Sequence, residues 1–316
     1  MSASTGSAVL GLSFLVLMIL LGVVLFIRVR KGLDDRRARQ EARDRAEAWR
    51  AEQMNRPALA GEEAEQFKGW YLNQQRPAAV LSLGQEIEPG PHGCHVGGRV
   101  WIPQGEAWPT TSDGAPLQFL AQLDFVDLPP LVDFPRFGVV QFFTGADDLY
   151  GANFDDLFVG AFRVIWRPAP DAAGALMESP QAEEDYSPLS RKLRQASRRL
   201  VPKPATMLPS AYSADVEAYA PAVLDRPGSD AIVDWMNGHE NANREVHHVG
   251  GYPGTTQDDF RRETRYASLD RVLLQLWSET DGSIMWGDMG QGSFTISQAD
   301  LRAQRFDRVA FHWDCS

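Results

Sequence analysis

The sequence predicts a β-rich α+β fold in which two internally duplicated halves share one sheet system or core, preceded by a single transmembrane helix and a charged helical stalk. Three observations lead there. His95-Val96-Gly97-Gly98 recurs as His248-Val249-Gly250-Gly251, and the 27 positions from His95 to Gln122 are repeated from His248 to Gln275. Short aromatic and β-branched runs bounded by Gly, Pro and Asp follow each copy. An uncharged apolar run occupies residues 9–27, with basic residues directly after it.

That run of 19 residues would extend roughly 28 Å as a helix, enough to cross the hydrocarbon core. Lys and Arg are absent before it, whereas Arg28, Arg30, Lys31, Arg36, Arg37 and Arg39 follow. A cleaved signal peptide would need a basic leading region and a small-residue cleavage site, and the sequence has neither. The positive-inside rule then places the amino end outside and the rest in the cytoplasm, as a single-pass protein of the cell membrane.

Residues 28–56 carry ten Lys/Arg and six Asp/Glu; with an overall net charge of −11, the remainder is strongly acidic. Ala, Arg, Glu and Gln favour a helix here, and Asp35 with Arg39 and Glu41 with Arg45 stand four apart in the acid-first order. A solvated spacer helix is expected. The acidic head disfavours nucleic acid. The expected partners are the lipid bilayer, through residues 9–27, and an unknown protein or small-molecule ligand.

Residues 57–316 read as one globular domain with repeat halves at about 94–144 and 247–297. A helix is expected over 62–75, and strands over 116–123, 138–144, 161–167, 272–278, 292–296 and 308–313. Ser297 is a helix N-cap, with Asp300 three positions on. The connection 168–227 is rich in Pro, Ala and Ser. Within it Leu189, Leu193, Ala196 and Leu200 recur at helical spacing among basic residues, which predicts a helix over 190–200 that packs on its own domain or lies at a lipid surface.

The stretch from Gly97 through Trp101, Gln104, Gly105 and Trp108 to Pro109, followed by Phe119-Leu120-Ala121-Gln122-Leu123-Asp124, resembles the first half of the YwqG-like family, a domain family of unknown function. His248-Val249-Gly250-Gly251-Tyr252-Pro253, Gln257-Asp258-Asp259, Leu273-Leu274-Gln275 and Met285-Trp286-Gly287-Asp288-Met289-Gly290 resemble its second half. Trp277 stands where that family often has an acid. The resemblance runs from about Glu62 to Ser316 and implies a fold and a cytoplasmic setting, without an activity, cofactor or catalytic residue.

His95, Gln122, His248, Gln275, Asp258, Trp286 and Asp288 are the candidate ligand-binding residues. Structurally, the Gly pairs suit positive φ or close backbone approach, and a glutamine inside an apolar strand can satisfy a buried backbone group. Functionally, His95 and His248 with Asp258, Asp259, Asp288 and His312 could gather in a cleft between the halves. Motif chemistry is missing: His239-Glu240 is followed by Asn243 rather than a second His, and residues 287–292 lack the Lys-Ser/Thr of a phosphate loop. No metal, cofactor or catalytic residue is therefore assigned. Cys94 and Cys315 are too few for a disulfide framework. The leading expectation is a membrane-tethered cytoplasmic binding or scaffold module; the alternative is a metalloprotein or enzyme using the inter-repeat His and Asp residues.

Overall fold

The computed structural model describes residues 40, 44–45, 47–49, 51–52, 55 and 59–316, except 171–172, 183–185, 221–225 and 241–244. The chain divides into two units, the first being residues 1–58 with 225–227. In that first unit the described residues from Gln40 to Glu52 are helical, and the Gln40 amide donates to Asp44 at 2.8 Å.

The second unit opens with α1 (Gly61–Leu72), which buries Ala64, Phe67 and Tyr71 at helical spacing. That face packs with Val216 of α3 (Ala214–Tyr219) and with Ile232 and Met236 of α4 (Asp230–Glu240). Among the described residues twelve strands follow in chain order: β1 (Arg76–Glu86), β2 (His95–Val96), β3 (Val100–Pro103), β4 (Gln118–Asp124), β5 (Val139–Thr144), β6 (Phe162–Arg167), β7 (Gly174–Met177), β8 (Arg198–Met207), β9 (His247–Gly250), β10 (Arg271–Trp277), β11 (Gln291–Ile296) and β12 (Ala310–Asp314). Two further α-helices, α2 (Arg191–Gln195) and α5 (Gln298–Arg302), are short. Ten strands form one antiparallel sheet in the order β12-β11-β10-β9-β1-β8-β2-β4-β5-β6, while β3 and β7 form a separate ribbon.

This order is the same read from either end once the halves are exchanged: β12 matches β6, β11 matches β5, β10 matches β4, β9 matches β2, and β1 matches β8. The first strand of each half lies in the other half's part of the sheet. Register locates the symmetry. His95 lies opposite Arg199 of β8, and His248 lies opposite Val80 of β1, so Val80 and Arg199 are counterparts. Two residues further along each strand, Ser82 and Val201 are counterparts too, and they face each other across the β1–β8 pair. Even the irregularities recur, since the register shifts between Phe119 and Ala121 in β4 and between Val272 and Leu274 in β10.

The sheet is nearly closed and barrel-like. Phe162 of β6 and Phe311 of β12, on the two edge strands, approach to 5.6 Å between ring centroids, and the Phe311 N–H donates to Leu157 O at 2.9 Å. Counterparts Phe142 and Phe294 meet at 4.9 Å, and Phe294 stacks on Phe311 at 4.6 Å. Each such ring, fully buried, contributes about 1.5–3 kcal/mol. Strands β4, β5 and β11 are buried along their whole length, which is why β4 and β5 read as largely apolar runs, whereas β11 also buries Gln291, Ser293 and Thr295.

These observations correct the expected fold class. The domain is a nearly closed ten-stranded sheet with short helices, and a transmembrane helix ahead of it is not supported: no helix among the described residues is long and apolar enough to cross a membrane. The run at 9–27, which carried that expectation and the lipid-bilayer partner, lies outside the described residues. The repeat unit is longer than the segments 94–144 and 247–297, extending to β1 and β6 in one half and to β8 and β12 in the other. The helix expected over 190–200 shortens to α2, capped by Ser190, because Arg198 and Leu200 belong to β8. The connection 168–227 hides that strand behind Pro202 and Pro204. Beyond Arg199, β8 has lost β2 as its second neighbour, so two prolines spaced two apart interrupt no ladder on that side.

Candidate functional site

His95 pairs with Gln122 across β2–β4, and His248 pairs with Gln275 across β9–β10. The structure brings each pair together at equivalent places. The Nε2–H of His95 donates to the Arg99 carbonyl at 3.2 Å, and Nε2 of His248 faces the Tyr252 carbonyl at 3.1 Å, four residues downstream in both cases. Nδ1 of His248 also faces a carbonyl, that of Val246 at 3.0 Å. All four side chains are buried. Burial pushes the His95 imidazole down to about 4 and lowers His248 from its ordinary value, so both rings are neutral near pH 7.

The Gly pairs explain the strand ends beside these rings. Gly97, Gly98, Gly250 and Gly251 all have positive φ, between 65° and 75°. A Cβ on Gly98 would lie 2.2 Å from Ser197 Oγ, and one on Gly251 would lie 2.5 Å from Met207 Sδ. The Gly98 and Gly251 N–H groups donate to Leu193 O and Pro77 O at 2.9 and 3.0 Å.

The glutamines are also occupied. Gln122 donates to Gly93 O at 3.0 Å and accepts from Gln141 at 2.9 Å; Gln141 in turn accepts from Arg167 at 2.8 Å. Gln275 accepts the Gly254 N–H at 2.9 Å and donates to the Gly254 carbonyl at 3.2 Å. Leaving such a buried amide unpaired would cost about 1–3 kcal/mol. One position earlier, Cys94 and His247 are counterparts: Cys94 Sγ accepts the Asp124 N–H at 3.2 Å, and His247 Nδ1 accepts the Trp277 N–H at 3.0 Å. Burial pushes the Cys94 thiol up to about 12, which suits a small buried side chain and not a nucleophile.

Residues 94–315 match the family model of a domain of unknown function, DUF1963. The chain belongs to that family. No curated protein matches it. The DUF1963 match begins after β1, yet β1 lies in the middle of the sheet between β8 and β9, so the folded unit reaches outside the matched residues.

Within the DUF1963 domain, the other three candidates stay apart from the His–Gln pairs. Asp258 is exposed and paired with Arg262 at 2.6 Å, and Asp288 is exposed. Trp286 is a buried packing residue under Gly292, whose Cβ position lies 2.4 Å from the indole. Of the wider set, Asp259 accepts from Arg261 at 2.6 Å and His312 packs on Phe260 at 4.9 Å. Among the described residues no group of three His, Cys, Asp or Glu side chains is placed to hold a metal ion.

Sequence reasoning missed two features. The first is a cleft of about 570 Å³ lined by Arg76, Asp215, Glu217, Arg261, Arg262 and Asp270. Its arginines are matched: Arg261 reaches Asp259 and Asp215 at 2.6 and 2.7 Å, Arg76 reaches Asp215 at 3.1 Å, and Arg262 reaches Glu217 at 2.6 Å. Burial opposes the Arg261 charge, but the two carboxylates outweigh it and hold the guanidinium charged. This network ties β1 to α3 and to the turn at 259–262, and leaves these arginines committed to carboxylates.

The second is the β5–β6 connection, residues 145–161, which contains neither helix nor strand. It is held by its own side chains: Asp147 accepts the N–H groups of Leu149 and Gly151 at 2.9 and 2.8 Å, and Asp156 accepts that of Phe158 at 3.1 Å. Four large apolar side chains remain exposed on it, Leu149 at 42%, Phe154 at 46%, Phe158 at 42% and Val159 at 59%. A groove of about 810 Å³ runs between this connection and the turn at 111–116, with Phe158 and Val159 on its wall. An adjoining hollow of about 510 Å³ shares Asp147, Asn153, Gly160 and Ala161 with it and adds Leu149 and Phe154. The matching β11–β12 connection contains α5 and a short 3-10 turn, and buries Leu301, Phe306 and Val309. A Lys- and Arg-free run with exposed aromatics is the only signal in the sequence that points to the surface.

Proposed function

We propose that this chain is a binding module that docks a partner on the β5–β6 connection, with the His–Gln pairs serving the fold beneath it. The observation that carries the reading is the cluster of Leu149, Phe154, Phe158 and Val159, exposed on a long irregular connection whose counterpart buries its apolar residues. Irregular connections of this length are uncommon without a functional reason, and exposed apolar clusters mark interaction sites. The hydrogen-bonded glutamine amides, and the carbonyls that face Nε2 of His95 and both ring nitrogens of His248, speak against metal binding or acid–base work there. The YwqG-like resemblance belongs to the same reading, since its Gly-Gly, Gln and Trp motifs coincide with residues that build the sheet.

A photo-crosslinking side chain placed at Phe154 or Val159, with an exposed control at Lys203, tests this in cells. A discrete adduct at 154 and 159 that is absent at 203, and that the purified adduct partner reproduces, supports the docking surface. Equal adducts at all three positions, or none, would overturn it.

A further inference from the structure

Resting on that docking surface, we propose that its partner is a basic peptide segment carrying apolar anchor residues. The groove supplies both halves of the argument. Phe158 and Val159 form an apolar wall, and Leu149 and Phe154 extend it into the adjoining hollow, so side chains inserted there exchange water for hydrocarbon. Asp113 and Asp147 line the groove and Asp155 the adjoining hollow, while Asp148 and Asp156 add two more carboxylates to the same connection. The Asp113 carboxyl is held below its usual range by the Thr111 hydroxyl and therefore stays ionised.

Opposing cations are few. Arg163 lines the groove, but its guanidinium donates to the Phe162 carbonyl at 2.7 Å. Arg265 donates to the Asp155 carbonyl at 2.7 Å and to Glu263 at 3.0 Å. Asp147 and Asp156 each accept the turn N–H groups through one carboxylate oxygen, so the connection keeps its shape while presenting negative charge. Lys and Arg side chains would meet this rim, and like-charged segments would be repelled by it. Nucleic acid and anionic lipid are disfavoured by the same charges.

A displayed library of random short peptides selected on the full chain tests the proposal, with the best peptide resynthesised and its affinity measured by anisotropy. Enrichment of Lys/Arg together with Leu or aromatic residues is expected. The binding should weaken with salt, and should weaken roughly tenfold or more in both Phe154→Ser/Val159→Ser and Asp148→Lys/Asp155→Lys. The charge-reversed variant should also favour a version of the peptide with Glu in place of each Lys. Enrichment of acidic or uncharged apolar peptides that Phe154→Ser/Val159→Ser abolishes would overturn the basic partner while leaving the docking surface standing. Basic peptides that bind both variants as well as the parent, or no enrichment at all, would overturn the proposal and the surface together.

Discussion

Ser82 lies directly opposite Val201 in the β1–β8 pair, and each is the other's counterpart in the duplicated chain. A local twofold relation therefore passes between them, and each half of the molecule is completed by the other's first strand. The first half cannot pair β2 on its outer side without β8, nor the second half β9 without β1.

Fragments 57–180 and 187–316 should thus fail to fold separately, because each lacks the strand that covers its His-Val-Gly-Gly segment. Mixed together, they should regain the full chain's far-ultraviolet circular dichroism and cooperative melting. Independent cooperative melting of either fragment would contradict the exchange.

Gly251→Val combines positive φ with a Cβ 2.5 Å from Met207 Sδ. It should destabilise the domain by about 3 kcal/mol, roughly 6–12 °C in Tm for a domain of this size. Gly98→Val, against Ser197, should behave alike, whereas Gly105→Val should cost less because nothing lies within 4 Å of its Cβ position. Thermal melts of the three variants check the order.

Strands β4, β5 and β10 were legible because burial on both faces leaves a largely apolar run, β11 from a short aromatic and β-branched stretch behind turn residues, and the Ser297 cap from Asp300 at its third position. β8 was not, since Pro202 and Pro204 argue against a strand unless the absence of a neighbour beyond Arg199 is known. The strand exchange was equally hidden: residue intervals are blind to which half a strand joins. At the site, the matching His-to-Gln intervals marked positions that the fold does bring together, but burial turns those polar groups inward. Asp258 and Trp286 looked alike in sequence as motif residues, yet one is exposed and the other is packing.

His95 titrates at about 4 in the folded chain because burial disfavours its charge, against about 6.5 for the free side chain. The unfolded state takes up the proton first on acidification. Stability attributable to this residue is thus fully present above pH 6.5 and falls away between pH 6.5 and 4, by roughly 3 kcal/mol. His95→Gln should show a shallower decline across that window in urea denaturation. An equal slope in parent and variant would contradict the neutral buried ring.

Cys94 is buried with its thiol pushed up to about 12, whereas Cys315 is only partly buried. A thiol reagent at neutral pH should modify one cysteine quickly, with the second following only in denaturant. Mass spectrometry of the digested protein should place the fast label on Cys315. Removing the sulfur in Cys94→Ala should cost about 1–2 kcal/mol through the orphaned Asp124 N–H.

The central claim separates a structural interior from a binding exterior, and a paired measurement on two variants tests it. His248→Ala should lower unfolding stability by about 1–3 kcal/mol while its folded form binds the selected peptide as the parent does. Phe154→Ser/Val159→Ser should keep the parent's stability and lose the peptide. A stable His248→Ala protein that no longer binds, alongside a surface variant that binds normally, would contradict the account and return the site to the His–Gln pairs.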